Sequence, residues 1–176
     1  MPNPEQDCIV IMLHSTILLA EDNEDDIILI QRAFTKARLA NPLRVVHDGD
    51  EAIRYLAGEG PYANRQENPL PLMLLLDLHL PKVDGFEVLH WLQGKPQLEG
   101  LIAVVLTSST DQPDFARGRE LGAHSYFTKS GGLDELVNLM LRVQGYWLLL
   151  GKRPEEFPVT ITALSSERGH PFSLRN

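Results

Sequence analysis

The chain has 176 residues, with 16 lysine and arginine residues against 24 aspartate and glutamate residues, so its formal net charge is −8. This negative charge disfavours binding to nucleic acid through phosphate contacts. The single cysteine, Cys8, excludes an intramolecular disulfide, and no apolar run has the length of a membrane span or the pattern of a secretion signal. We therefore expect a soluble cytoplasmic protein with one main domain and no nucleic-acid or membrane partner.

Five short apolar runs have the length and the β-branched or aromatic content of β-strands. They cover residues 16–20, 43–47, 72–77, 101–107 and 125–128. The third and fourth runs are apolar almost throughout, which is typical of parallel strands buried on both faces. We expect these two strands in the centre of a sheet.

Segments with helical periodicity separate the strands. They predict helices over 24–38, 50–57, from Asp84-Gly85 to about 92, from a cap at Asp111 to about 122, and over 133–150. This alternation predicts an α/β fold with an open, doubly wound parallel sheet and right-handed crossovers. Residues 58–71 are rich in turn-forming residues and predict a long surface loop.

The last predicted helix is apolar on two sides. One stripe contains Leu133, Leu136, Val137 and Met140, and the second contains Leu139, Val143, Tyr146, Trp147 and Leu150. A second apolar stripe needs a surface to cover it, which favours a symmetric dimer interface. Packing against the sheet or against residues 151–176 is the alternative.

Polar side chains follow the predicted strands at their carboxyl ends, which is the edge where doubly wound sheets bind ligands. They are Glu21, Asp22, Asp77, Thr107 and Lys129. Three carboxylates gathered there would repel one another, and a divalent cation would neutralise them. Because all the donors are oxygens, we expect Mg²⁺ as the cofactor. The six histidines show no zinc-ligand spacing.

This set of side chains suits phosphoryl transfer to a carboxylate. Asp77 could act as the nucleophile and form an aspartyl phosphate, while a metal and Lys129 offset the charge of the transferred group. The hydroxyl of Thr107 could donate a hydrogen bond to a phosphoryl oxygen and so act as a switch.

The motifs at 17–26, 74–86, 106–108 and 126–129 occur in this order on the predicted elements, and over about residues 15–150 the chain resembles the receiver domain of two-component response regulators. The resemblance implies a flavodoxin-like fold with strand order 2-1-3-4-5. It implies that Asp77 takes phosphate from a sensor histidine kinase, that Glu21 and Asp22 form the acidic pair that binds Mg²⁺, and that Thr107 and Lys129 contact the phosphoryl group. It also implies that Tyr126 is an aromatic switch residue and that His79 binds the metal only through its backbone carbonyl.

A finer resemblance is to single-domain regulators associated with bacterial phytochromes. It is carried by residues 24–26, the loop before the third strand, residues 106–109, residues 128–130 and Tyr146-Trp147. It implies a bacteriophytochrome as a candidate kinase and a homodimer through the last helix and the C-terminal extension. Many receivers have proline after the lysine, whereas Ser130 stands here, so a cis peptide bond is not implied.

We expect an N-terminal extension over 1–14, a receiver domain over 15–150 and a C-terminal extension over 151–176. The expected function is a signalling switch and not an enzyme. The alternatives are a phosphate-independent dimeric scaffold and a phosphate sink or relay. A phosphohydrolase with an aspartate nucleophile usually has a second acid two residues after that aspartate, and His79 stands there instead.

Overall fold

The structure is a computed structural model that describes residues 15–108 and 112–150, with side chains described over 15–108 and 113–142. One sheet of five parallel strands lies at its centre. The strands are β1 (Ile17–Ala20), β2 (Leu43–Val46), β3 (Met73–Asp77), β4 (Ile102–Thr107) and β5 (Ser125–Thr128). Their order is β2-β1-β3-β4-β5, which confirms the predicted fold class. Every residue of β3 and β4 is buried, as expected for central strands.

The described residues also form five α-helices, of which the first four connect successive strands and the fifth follows β5. They are α1 (Glu24–Lys36), α2 (Gly49–Ala57), α3 (Gly85–Leu92), α4 (Gln112–Glu120) and α5 (Gly132–Leu150). Three short 3-10 turns cover Gly60–Tyr62, Pro96–Leu98 and Lys129–Gly131. Helix α1 ends earlier than the predicted residue 38, because Arg38 adopts a left-handed φ of 56° that stops the helix. The predicted cap Asp111 lies outside the described residues.

Two apolar layers cover the two faces of the sheet. Helices α1 and α5 pack on one face, where Ile27, Ile30, Phe34, Leu136 and Met140 meet alternate residues of the strands. Helices α2 and α3 pack on the other face through residues such as Ala52, Tyr55, Leu56, Val88 and Leu89. This doubly covered sheet leaves the carboxyl ends of the strands as an open edge.

The position of Leu139 in α5 shows that its predicted place in a dimer interface is wrong. Leu139 is only 4% exposed and belongs to the same core cluster as Leu136 and Met140. Residues three and four apart share a helix face, so Leu139 belongs to the core stripe and not to a separate outer one. The side chains of Val143, Tyr146, Trp147 and Leu150, together with the extensions 1–14 and 151–176, lie outside the described residues.

The loop that follows α2 is held by hydrogen bonds from one arginine. The Arg65 guanidinium donates to the carbonyls of Tyr55 and Leu56, each at 2.7 Å, and to the carbonyl of Asn68 at 3.2 Å. The first two carbonyls lie at the end of α2, where helical carbonyls lack partners within the helix. Arg65 therefore joins the loop to the end of this helix.

Over the described part of the chain, none of the helices combines the length and the apolar character that crossing a membrane would need.

Candidate functional site

The predicted site residues meet at the carboxyl edge of the sheet. Glu21 directly follows β1, Asp77 and Thr107 are the last residues of β3 and β4, and Lys129 directly follows β5. Asp77 pairs in register with Leu106, so Thr107 lies one residue further along the neighbouring strand. The parallel topology thus brings together side chains that are up to 108 residues apart in sequence.

The Lys129 ammonium lies at the centre of this group. Its Nζ is 2.5 Å from Glu21 Oε2, 2.6 Å from Asp77 Oδ2 and 2.8 Å from Asp26 Oδ2. The side chains of Lys129, Glu21 and Asp77 are 9%, 0% and 8% exposed, whereas that of Asp26 is 28% exposed. One buried cation is therefore shared among three carboxylates.

The acidic side chains could also hold a divalent cation. Ligand oxygens of Glu21, Asp22 and Asp77 all lie within 4.8 Å of one another. Asp22 is exposed to solvent while the other two are buried, an arrangement that gives a metal both protein ligands and water. Hard oxygen donors of this kind suit Mg²⁺ or Mn²⁺. The residues present therefore fit the cofactor expected from the sequence.

The pKa shifts at the site follow from burial and from the excess of negative charge. Burial raises the pKa of Glu21 to about 7, the Asp77 charge acts in the same direction, and the Lys129 contact only partly offsets them. Burial acts to lower the pKa of Lys129, but its hydrogen bonds to Asp26, Asp77 and Glu21 outweigh this and hold its pKa above the usual range. Lys129 stays charged, and the site retains an excess of negative charge.

The backbone after β3 holds the Asp77 carboxylate through the oxygen that does not contact Lys129. The backbone N–H of His79 donates to Asp77 Oδ1 at 3.1 Å, while the side chain of His79 is exposed. The amide of Gly85, the first residue of α3, donates to the Leu78 carbonyl at 2.9 Å. A Cβ on Gly85 would lie 2.7 Å from Leu78 Cα and would overlap the Asp77 carbonyl oxygen. A glycine is therefore required where α3 approaches the end of β3.

Thr107 and Tyr126, the two predicted switch residues, lie on adjacent strands. Thr107 is 1% exposed and pairs in register with Thr128. The Tyr126 ring packs edge-on against Phe115 of α4, with a centroid distance of 5.2 Å. Its hydroxyl is buried and finds no hydrogen-bond partner among the described residues. Burial, together with the charge of Asp114, raises the pKa of this hydroxyl to about 12.

Asp26 is a site residue that the sequence analysis did not identify. It lies in the first turn of α1, where the Asn23 side chain accepts hydrogen bonds from the backbone N–H groups of Asp25 and Asp26. The acidic run 24–26 entered only as part of the motifs that carry the family resemblance, and no role in the site was predicted for Asp26. The signal that could have identified it is an acidic residue shortly after the Glu21-Asp22 pair, in the first turn of the helix that follows β1.

The Lys129–Ser130 peptide bond is trans, in agreement with the absence of proline there.

Gly118, which lies against the end of the Tyr126 side chain, was not predicted from the sequence to matter. It lies within α4, and its only signal was a glycine inside a helical pattern.

The sequence family described as "Response regulator receiver domain" matches residues 17–141. The response regulator Rcp1 of the cyanobacterium Synechocystis is 36% identical over 132 residues, which cover 75% of this chain and 88% of Rcp1. The phosphorylated cyanobacterial phytochrome response regulator RcpA has a similar structure, with a TM-score of 0.70, 38% identity, and coverage of 80% of this chain and 99% of RcpA.

The Mn²⁺-bound form of Rcp1 matches with a TM-score of 0.68, 34% identity, and coverage of 80% of this chain and 99% of that structure. The family match spans more than half of the chain and includes all of the acidic, threonine and lysine positions at the sheet edge. The protein belongs to the response regulator receiver domain family.

Proposed function

We propose that this protein is a single-domain response regulator that accepts a phosphoryl group on Asp77 from a sensor histidine kinase and signals through protein contacts. The observation that carries the proposal is the Asp77 carboxylate, which is 8% exposed, lies 2.6 Å from the Lys129 ammonium and shares an acidic group with Glu21 and Asp22. A nearly buried carboxylate beside a fixed cation is suited to phosphoryl transfer.

In the proposed reaction an Asp77 carboxylate oxygen attacks the phosphorus of a phosphohistidine. A P–O bond forms, the P–N bond breaks, and the departing imidazole keeps the bond's electron pair and takes up a proton. Lys129 offsets the negative charge on the transferring group, and Thr107 donates a hydrogen bond to a phosphoryl oxygen.

Glu21, Asp22 and Asp77, with the backbone carbonyl of His79, would hold Mg²⁺. The cation would neutralise charge on the carboxylates and on the phosphoryl oxygens. The ionised form of Glu21 is the one that binds a metal, and its raised pKa of about 7 leaves part of this residue protonated near neutral pH when no metal is bound.

Phosphorylation of Asp77 would shift Thr107 and Tyr126, and this shift would alter a surface that binds a partner or the contact between two copies of the chain. Relatives that include a phytochrome response regulator support a bacteriophytochrome as the kinase.

We propose that the receiver domain covers residues 15–150 and that the protein is cytoplasmic. We also propose a homodimer formed by the second half of α5 together with the C-terminal extension. The proposed contact residues are Val143, Tyr146, Trp147 and Leu150.

The test is intact-protein mass spectrometry after incubation with Mg²⁺ and acetyl phosphate. We expect one phosphoryl adduct in the native protein and none in Asp77→Asn or in a sample depleted of divalent cations. An Asp77→Asn variant that still gains the adduct would refute the assignment of Asp77. A folded native protein that gains no adduct with Mg²⁺ present would favour the phosphate-independent scaffold.

The identity of the kinase is tested separately. Purified bacteriophytochrome kinase carrying a phosphohistidine should transfer its phosphate to the native protein and not to Asp77→Asn. Transfer that proceeds from unrelated histidine kinases at the same rate would contradict the phytochrome assignment and leave the receiver function intact.

A further inference from the structure

The hydrogen-bonding capacity of Lys129 is fully occupied in this structure. An ammonium group has three N–H donors and no acceptor, and Glu21, Asp77 and Asp26 each accept one contact from Nζ at 2.5 to 2.8 Å. If all three contacts were kept, no donor would remain for an oxygen of a phosphoryl group on Asp77. At least one carboxylate must therefore release Lys129 when that group arrives.

The three acceptors are not equivalent. Glu21 and Asp77 belong to the acidic group whose oxygens lie close enough to share a metal ion, and Asp26 does not. A cation bound by Glu21 and Asp77 would weaken their attraction for Lys129, because their charge would then be shared. Asp26 is the one acceptor whose charge stays available to the lysine.

The local backbone holds Asp26 in place. Its backbone N–H donates to the Asn23 side chain at 3.2 Å, and its residue lies in the first turn of α1. Helix α1 in turn packs through Ile27 and Ile30 against the core. An acceptor on a capped, well-packed helix can fix the position of a flexible lysine side chain.

We propose that Asp26 is a positioning residue for Lys129, an inference that rests on the proposed function. It retains one N–H of the ammonium when Glu21 and Asp77 engage a metal, and it thereby directs the other two N–H groups toward the phosphoryl oxygens on Asp77. Asp26 itself touches neither the metal group nor the phosphoryl group.

The test compares Asp26→Asn with Asp25→Asn. Both substitutions remove one negative charge from the same helical turn, and both residues donate a backbone N–H to Asn23. Asp25 is exposed and is not an acceptor for Lys129. A general electrostatic effect would therefore appear in both variants, whereas a positioning effect would appear only in Asp26→Asn. Thermal unfolding verifies that both variants fold.

The first readout is the rate of adduct formation from acetyl phosphate at saturating Mg²⁺. A hydrogen bond between charged groups stabilises by enough to change a rate by about tenfold or more, so we expect that loss in Asp26→Asn. Asp25→Asn should stay within about twofold of the native rate on the scale of surface charge effects. Asp26→Glu, which keeps a carboxylate, should recover most of the loss.

The second readout does not depend on phosphorylation. In NMR spectra of the lysine ammonium groups with Mg²⁺ present, we expect a slowly exchanging Lys129 signal in the native protein and in Asp25→Asn, and its loss in Asp26→Asn. Equal spectra and equal rates in the two Asn variants would overturn the role of Asp26, as would a faster rate in Asp26→Asn.

The two proposals can fail separately. A native protein that forms no Asp77-dependent adduct would refute the proposed function, while the NMR comparison would still decide whether Asp26 holds Lys129 in the presence of the metal.

Discussion

The hydroxyl of Tyr126 occupies the space that a Cβ on Gly118 would fill. The ideal Cβ position on Gly118 lies 2.5 Å from Tyr126 Cζ and 3.2 Å from Cε1, and it would overlap the hydroxyl oxygen. Glycine inside a helix costs about 1 kcal/mol relative to alanine. The Tyr126 side chain therefore explains why α4 has a glycine at position 118. Tyr126 can keep its place only if residue 118 has no Cβ.

We therefore predict that Gly118→Ala destabilises the native protein by about 1 to 3 kcal/mol, because it forces the Tyr126 ring out of its place. In a Tyr126→Leu background the same change should stabilise by up to about 1 kcal/mol, since only the helix propensity remains. Urea unfolding of the four proteins in this double-mutant cycle gives the coupling free energy. An effect of equal size in the two backgrounds would show that the ring and Gly118 do not compete for space.

A second prediction concerns Gly85 at the start of α3. Gly85→Ala should lower the free energy of unfolding by about 2 kcal/mol or more, because the added Cβ meets backbone atoms of Asp77 and Leu78 that cannot rotate away. Gly100→Ala is the matched control, since a Cβ there meets nothing within 4 Å. Chemical unfolding measures both, and a Gly85→Ala protein as stable as the control would contradict the close approach of α3 to β3.

The raised pKa of Glu21 makes stability depend on pH when divalent cations are removed. Burial raises this pKa from 4.5 to about 7 on folding, so the folded state favours the protonated carboxyl. The associated stabilisation is fully present below pH 4.5 and is lost as the pH rises through about 7. We expect the native protein in a chelator to lose stability from pH 5 to pH 8 relative to Glu21→Gln.

Thermal unfolding over this pH range measures the difference between the two proteins. The Gln variant lacks the titrating group and keeps a similar shape, so other titrations cancel in the comparison. Parallel pH profiles for the two proteins would mean that Glu21 is ionised throughout and that its burial is offset by Lys129.

Arg65 provides a prediction for the loop that follows α2. Arg65→Ala should destabilise by about 1 to 3 kcal/mol, because the carbonyls of Tyr55, Leu56 and Asn68 lose the hydrogen bonds that the guanidinium donates to them. Arg65→Lys should retain only part of this stability, since a lysine cannot span the two helix-end carbonyls with a planar fork. Urea unfolding compares both with Arg32→Ala, an exposed arginine of α1. If the Ala and Lys variants were both as stable as the native protein, the proposed stabilisation of this loop by Arg65 would be contradicted.

Much of the fold was predictable from local pattern. The apolar runs, the helical periods between them and the fully apolar third and fourth strands predicted a doubly wound sheet, and the strand order confirms it. The residues at the strand ends were predictable too, because parallel strands place their carboxyl ends on one edge whatever the details of packing. Glu21, Asp77 and Lys129 met there for this reason.

Other features depended on contacts between distant segments, which local pattern does not encode. The 3.6-residue period divided α5 into two apolar stripes, but only packing against the sheet and α1 placed Leu139 in the core. Asp26 joins Lys129 because α1 begins beside the end of β5, 103 residues away in sequence. Gly118 makes room for Tyr126 because α4 lies directly against the end of this side chain. Local sequence is therefore enough to predict which elements form and which chemical groups reach the sheet edge, since both follow from periodicity and topology. Which side chains share a cation or a space depends on distances of a few ångströms between elements, and only the packing of the folded chain sets those distances.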